Sequence, residues 1–282
     1  MSELAPVNKI IPFSLVDGPG SRTSIFLQGC NIACAYCHNP ETQRLCVGCG
    51  ACVDGCPADA LRLEGGEVLW DERACTGCDA CIGSCPGFAS PKIRRLSAEA
   101  VFEQVAGYAP FIRGITVSGG ECMLYAAWLR ELFSLAEGAG LGTLIDSNGT
   151  IPFWEHPELM EHADGVMLDV KAWDPAVAER LTGQSPELTS NIKRNLAWLA
   201  DAGKLEEIRI VVVDGWNDPE AVIAGCAETL GARAADVRLK LIRFRCFGVK
   251  GALALAPSPA DERMAKLERL AAESGFENVV LT

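Results

Sequence analysis

The chain has 282 residues, 49% hydrophobic and 22% charged, enough apolar material for one large core and a small satellite domain. No apolar run reaches the length of a membrane span. The net charge of −12 argues against broad phosphate-backbone binding and reads as a solvated acidic surface, so neither nucleic acid nor membrane is an expected partner.

The opening MSELAPVNK lacks the basic-then-apolar order of a signal peptide, so a cytoplasmic protein is expected. Its fourteen cysteines then sit in a reducing compartment, where thiol clusters more often hold metal than form disulfides. The first predicted strand is Ser24–Gln28 (SIFLQ), and it leads into CNIACAYCHNP. There Cys30, Cys34 and Cys37 stand at C-x3-C-x2-C, with Tyr36 directly before the last. An iron–sulfur cube held by four thiolates has no free iron. One held by three leaves a corner open to substrate, as catalytic zinc keeps an open position.

Between Cys46 and Pro86 one motif occurs twice. CVGCGACVDGCP places Cys46, Cys49, Cys52 and Cys56 before Pro57, and CTGCDACIGSCP places Cys75, Cys78, Cys81 and Cys85 before Pro86. Both read C-x2-C-x2-C-x3-C-P, the spacing of bacterial two-cluster ferredoxins. Small residues (Gly48, Gly50, Ala51, Gly77, Ala80) let the backbone approach and turn N–H groups toward sulfur. In that fold the fourth cysteine of each run crosses over. One [4Fe-4S] cluster is thus assigned to Cys46, Cys49, Cys52 and Cys85, the other to Cys75, Cys78, Cys81 and Cys56. Structural zinc would pair two short knuckles across a longer gap. The segment reads as an insert. Residues 1–44 start the core, 45–88 form a ferredoxin-like domain, and 89–282 complete the core.

After the insert, Ser97–Tyr108 reads as a helix with Ser97 as N-cap. Strands follow at Ile115–Val117, Thr143–Ile145, Val166–Leu168, Ile208–Val213 and Val237–Ile242. Helices fit Ala126–Glu137, Asp174–Leu181, Glu187–Ala200, Pro219–Leu230 and Pro259–Glu273. Six strands alternating with helices predict an α/β fold with parallel pairing and right-handed crossovers. SGGE, DSNG, DVK and FRCFG all fall at or just beyond strand C-terminal ends, the edge where parallel barrels build their sites. Cys122, Cys226 and Cys246 fall outside every motif and read as small buried hydrophobes. His156 and His162 read as surface residues, and Trp128, Trp173 and Trp198 as packing.

C-x3-C-x2-C with Tyr36 resembles the signature of radical S-adenosylmethionine (SAM) enzymes, and the resemblance runs over nearly the whole chain. It implies a partial (β/α)6 radical SAM barrel carrying an inserted two-[4Fe-4S] bacterial ferredoxin-like domain. LVDGPGSRTSIFLQGC before the first cysteines and CHNP after them resemble the activating enzymes of glycyl radical enzymes. The insert is similar to that of the longer members, and together with ITVSGGE, DSNG and MLDVKAW it most resembles the YjjW-type activases.

The resemblance implies an anaerobic oxidoreductase. The open iron chelates the amino and carboxylate groups of SAM, the reduced cluster cleaves it, and the 5′-deoxyadenosyl radical takes hydrogen from a backbone glycine of a partner enzyme. Carried over onto this chain, Cys30, Cys34 and Cys37 are the catalytic cluster's ligands. Tyr36 lies beside the adenine, with the backbone through His38 nearby. Gly119 and Gly120 admit the methionine amino group, and Glu121 orients their loop. Asp146 and Ser147 sit near the methionine end, and Asp169 and Lys171 hold the ribose and carboxylate. Arg209 faces the site from the fifth strand, and Asp17 of the VDGPG loop pairs with Lys171. A monovalent cation is implied among Asp146, Ser147, the Met167 carbonyl and Asp169. Relatives carry a histidine after the last strand where this chain has Arg245, whose guanidinium can also stack on a π face.

The implied partners are a glycyl radical enzyme as protein substrate and a ferredoxin or flavodoxin as electron donor, with the chain a monomer. The insert would relay electrons or, alternatively, dock the partner. Two competing functions are a radical SAM enzyme acting on a small molecule and a plain electron-transfer protein. Six strands leave a wide lateral mouth, which favours a macromolecular substrate.

Overall fold

A computed structural model describes residues 3–282. Met1 and Ser2, which begin the N-terminal stretch read above, lie outside the described residues. The chain starts with β1 (Ala5–Ser14), which turns through the VDGPG loop and pairs antiparallel with β2 (Arg22–Leu27). The three-cysteine loop and the insert follow. The insert holds a hairpin, β3 (Leu61–Glu64) with β4 (Glu67–Trp70), and a single helical turn, α1 (Ala80–Ser84). The chain then returns as β5 (Arg94–Leu96), antiparallel on the far edge of β1.

From there helix and strand alternate. α2 (Ala98–Ala106), β6 (Gly114–Gly119), α3 (Ala126–Gly138) and β7 (Gly142–Ser147) come first. Then come α4 (Pro157–His162), β8 (Gly165–Asp169), α5 (Pro175–Thr182), α6 (Pro186–Asp201) and β9 (Leu205–Val212). α7 (Pro219–Leu230), β10 (Arg238–Arg243), α8 (Asp261–Glu273) and β11 (Asn278–Leu281) close the chain. The sheet order is β11-β10-β9-β8-β7-β6-β2-β1-β5, parallel from β2 through β11.

Local chemistry starts the helices. The Ser97 hydroxyl accepts the Ala100 N–H, Asp174 accepts those of Ala176 and Val177, and Ser185 accepts that of Leu188. Proline opens α4, α5, α6 and α7, where its fixed φ suits the first turn and its missing N–H costs nothing. Each helix then buries one face on the sheet. Trp128, Leu129, Leu132 and Phe133 of α3 are all fully buried, and the Trp128 indole donates to the Leu96 carbonyl at 3.0 Å. Trp173 and Trp198 also pack against this core, in line with the packing reading.

All six predicted strands are present. The structure adds three more to this sheet, at its two edges, and the β3–β4 hairpin of the insert. β1 carries Pro6 and Pro12, which argue against a ladder from sequence; Pro12 falls within a register shift against β2, and Pro6 sits opposite Arg95 of the short edge strand β5. β5 and β11 are too short to show periodicity. Among the described residues no helix is long and apolar enough to cross a membrane.

Candidate active site

Because the strands run parallel, their C-terminal ends share one edge, and the loops that leave it surround a cavity of about 310 Å³. Cys30, Cys34 and Cys37 line it from the loop after β2, together with Tyr36 and His38. Gly119 and Gly120 come from the loop after β6, Asp146 and Ser147 from the end of β7, and Asp169 and Lys171 from β8 and just beyond. Arg209 reaches in from β9.

The cysteine loop is positioned by backbone. Gly29 and Cys30 donate to the carbonyls of Thr42 and Gln43 at 2.8 and 2.9 Å, which closes the loop on itself. Ala33 and Ala35 donate to Thr182 and Leu181, which anchors it to the end of α5. Gly120 donates to the Leu27 carbonyl and Glu121 to that of Gly29, so the loop after β6 lies directly on it. This contact explains the glycine pair. A Cβ on Gly119 or Gly120 would stand 2.1 Å from the carbonyl oxygen of Leu27 or Gly29.

Glu121 ties two of the loops together. It is 1% exposed, and Oε1 accepts the Met123 N–H at 3.0 Å and the Ser147 hydroxyl at 2.8 Å. Oε2 accepts the Asn148 N–H at 2.8 Å. Burial pushes its pKa from 4.5 up to about 7 despite these three donors.

An ionic row runs beneath the cavity. Arg209 Nη1 lies 3.0 Å from Asp146, its Nε 2.5 Å from Glu207, and its Nη2 2.9 Å from the Met167 sulfur. Burial alone would lower the Arg209 pKa, but Asp146 and Glu207 raise it. The Asp146 carboxyl is pushed up by burial, against the pull of Arg209, and also accepts the Ser118 hydroxyl at 2.8 Å. Lys171 Nζ donates to Asp169 at 2.8 Å and stands 5.7 Å from the centre of the Tyr36 ring. Burial opposes its charge, but the Asp169 carboxylate holds its pKa well above the ordinary lysine value. The expected Asp17–Lys171 pair is not formed. Asp17 lines the cavity, but its carboxylate is taken by the hydroxyls of Ser14 and Ser24 at 2.6 and 2.8 Å.

Arg245 does not line the cavity. Phe244, its neighbour, is fully buried and turns inward, which leaves Arg245 exposed. His38 takes the inner position and stacks on Phe244 with ring centroids 6.1 Å apart. Burial lowers its pKa, partly offset by a hydrogen bond to the Arg245 backbone. Cys122 and Cys226 are buried as expected, but Cys246 is exposed on the same outward loop. His156 and His162 are half-buried.

Three further residues shape the site and its surroundings. Asn148 Nδ2 lies 3.8 Å from Cys30 Sγ and 3.1 Å from Asn31 Oδ1. Gln43 Nε2 donates to the Cys34 carbonyl at 3.1 Å. Gln28, fully buried, donates through Nε2 to the carbonyls of Arg44 at 2.8 Å and Ser90 at 2.9 Å, and so holds both ends of the insert. Asn148 sits in the predicted DSNG stretch, but neither glutamine carries a sequence signal.

The cavity suits a nucleoside-containing ligand with charged ends. The Tyr36 hydroxyl is buried without a partner, an acceptor or donor that a ligand would satisfy. Burial pushes the Cys30 thiol up to about 11 and Cys34 up to about 12, so iron must displace their protons on binding. Among the described residues no three His, Cys, Asp or Glu side chains converge as ligands of a single metal ion.

The insert repeats in conformation as well as sequence. Gly48 and Gly50 have φ of 68° and 75°, and their counterparts Gly77 and Asp79 have 71° and 58°. Asp59 and Phe88, each three residues past a fourth cysteine, have φ of 48° and 54°. Cys56, Cys75, Cys78 and Cys81 border one cavity, and the thiols of Cys46 and Cys85 raise the Cys52 pKa after its burial and Cys81. A second cavity, also about 310 Å³, lies between the insert and the catalytic loop, with Pro86, Gly87 and Phe88 on one side and Cys34, Cys37 and Gln43 on the other.

The model of the Radical SAM superfamily matches residues 24–224. The benzylsuccinate synthase activating enzyme of Thauera aromatica is 35% identical over 86% of this chain and 79% of its own. This chain is a radical SAM protein of the glycyl radical enzyme activating family. A Haemophilus influenzae protein assigned as a glycyl-radical enzyme activating enzyme is 30% identical over 99% of this chain and 98% of its own. The pyruvate formate-lyase 1-activating enzyme of Escherichia coli K12 is 27% identical over 78% of this chain and 72% of its own. Streptococcus suis SuiB, solved with its precursor peptide SuiA, superposes with a TM-score of 0.52 over 90% of this chain and 46% of its own. At 13% identity that likeness concerns the fold alone.

Proposed function

We propose that the chain cleaves SAM reductively and uses the 5′-deoxyadenosyl radical to make a glycyl radical on a partner enzyme. The observation that carries this reading is the meeting of three cysteines, spaced for an open cluster, with the SGG, DS and DVK strand ends around one cavity. A [4Fe-4S] cluster on Cys30, Cys34 and Cys37, when bound, supplies the electron.

The chain's own residues bind and orient. Lys171, buried and charged, offers its ammonium to the SAM carboxylate while Asp169 fixes its position. Tyr36 presents a ring face and an unpartnered hydroxyl toward the adenosine end. Glu121 holds the loop of Gly119 and Gly120 against that of Ser147. Arg209 offsets the charge of Asp146, so the cavity floor does not repel a carboxylate. A monovalent cation among Asp146, Ser147, the Met167 carbonyl and Asp169 would share the Asp146 carboxylate with Arg209.

Within the family the insert and strand-end motifs favour the YjjW type; a six-stranded catalytic barrel within the larger sheet and a cytoplasmic monomer complete the reading. Residues 45–88 are read as a ferredoxin-like domain with two [4Fe-4S] clusters that relays electrons from a ferredoxin or flavodoxin. Its support is the doubled motif and the shared cavity between Phe88 and Cys37. The deciding experiment is anaerobic: the reconstituted protein, reductant and SAM are mixed with candidate glycyl radical enzymes deuterated at glycine. Deuterium in 5′-deoxyadenosine and a glycyl doublet in electron paramagnetic resonance (EPR) are expected. Normal cleavage with no transfer from any candidate would favour a small-molecule substrate.

A further inference from the structure

The turn after β7 meets the cysteine loop through a closed ring of hydrogen bonds. The Thr150 hydroxyl donates to Asn148 Oδ1 at 2.6 Å, Asn148 Nδ2 to Asn31 Oδ1 at 3.1 Å, and Asn31 Nδ2 to the Thr150 hydroxyl at 2.7 Å. A fourth bond settles which end of the Asn148 amide is which. The Thr150 backbone N–H, which can only donate, reaches the same Asn148 oxygen at 2.9 Å. The other end is therefore the NH2 group, with two hydrogens to give. Asn31 takes one, which leaves the second for Cys30 Sγ, 3.8 Å from Nδ2. The turn is pinned on both sides. Glu121 accepts the Asn148 N–H at 2.8 Å, and from α6 Asn195 donates to the Gly149 and Ile151 carbonyls at 2.7 and 2.8 Å. Asn148 and Thr150 are both buried, so water competes little for these bonds.

We infer that the Asn148 side chain donates to the Cys30 sulfur and makes the catalytic cluster easier to reduce, with Thr150 as the residue that positions the amide. The inference rests on the reading of Cys30, Cys34 and Cys37 as ligands of that cluster. An N–H aimed at a ligand sulfur stabilises the negative charge gained on reduction. The electron comes from a reduced flavin or iron–sulfur protein, which leaves oxidised. Asn148 keeps both its protons, and no bond breaks.

Full-length protein, reconstituted anaerobically, is titrated potentiometrically with EPR detection as wild type, Asn148→Asp, Asn148→Ala and Asn31→Ala. The catalytic cluster's signal is the one that SAM alters. Asn148→Asp keeps an oxygen for Thr150, Asn148→Ala adds no charge, and both lose the NH2 group. Each should lower the reduced-to-oxidised ratio of that signal about tenfold at fixed potential, a shift of about 59 mV for one electron. Asn31→Ala keeps the donor and its backbone anchor and should leave the ratio unchanged. Wild-type protein labelled with 15N in its asparagine side chains gives a second readout that needs no variant. Electron–nuclear double resonance should show that nitrogen coupled to the reduced catalytic cluster, and the coupling should persist in Asn31→Ala. An unshifted potential in either Asn148 variant at wild-type iron content, an equal shift in Asn31→Ala, or no 15N coupling in the wild type overturns the inference and leaves the cluster reading standing. A wild-type chain with no SAM-responsive signal overturns both.

Discussion

Asn148 donates its backbone N–H to Glu121 Oε2 at 2.8 Å, and this bond joins the turn after β7 to the loop after β6. The acceptor is a buried carboxyl whose pKa rises from 4.5 to about 7. A carboxyl with a raised folded-state pKa stabilises the fold fully below its unfolded value, and that contribution is lost as pH rises through the folded one. Between pH 4.5 and pH 8 Glu121 therefore removes on the order of 3 kcal/mol, by the factor of 1.36 kcal/mol per pKa unit. Glu121→Gln is expected to flatten this slope, measured as the difference between variant and wild type in denaturant unfolding at the two pH values.

Arg209 sits between Asp146 and Glu207, and the side chains are 8%, 14% and 2% exposed. Removing the cation strands the buried Asp146 and leaves Glu207 with Arg238, at 3.3 Å, as its remaining cation. Arg209→Met should cost about 3–5 kcal/mol by thermal unfolding. Asp146→Asn should cost less, because Glu207 still pairs with the arginine. Equal losses in the two variants would mean that the row does not act as a network.

Gly120 has no room for a side chain, since a Cβ would stand 2.1 Å from the Gly29 carbonyl oxygen. Gly120→Ala should cost about 3 kcal/mol and push the cysteine loop away from β6. Iron uptake by the catalytic set should fall in parallel, read as iron per chain after reconstitution.

The insert's core is small: Cys52, Leu61 and Cys81 are its buried hydrophobic members. Its order should therefore depend on its clusters. Iron removal by a chelator should speed amide exchange across residues 46–85 while leaving β6 to β10 protected. Gln28→Ala should loosen the same segment with clusters in place, because the buried Ser90 carbonyl loses its donor at about 1–3 kcal/mol and the half-buried Arg44 carbonyl loses its own.

The catalytic loops were legible because their chemistry is written in residue types at strand ends. Gly119, Asp146 and Asp169 each fall at the end of a short apolar strand, and parallel pairing brings those ends together. The α-helices were legible from caps and prolines. Gln28 and Gln43 act on backbone carbonyls, and Asn148 on the Cys30 and Asn31 side chains, all at positions that only the folded chain sets. Arg245 was misplaced for a related reason. Whether a residue after the last strand faces in or out depends on Phe244, whose burial turns its neighbour to solvent.

Arg44 and Ser90 give their carbonyls to one nitrogen of Gln28, and β5 then docks on β1, next to the strand that the chain left before the insert. A segment that departs and returns at a single side chain can be gained, shortened or exchanged in evolution without rethreading the host sheet. Replacing such a graft leaves the scaffold that carries the three-cysteine loop as it was.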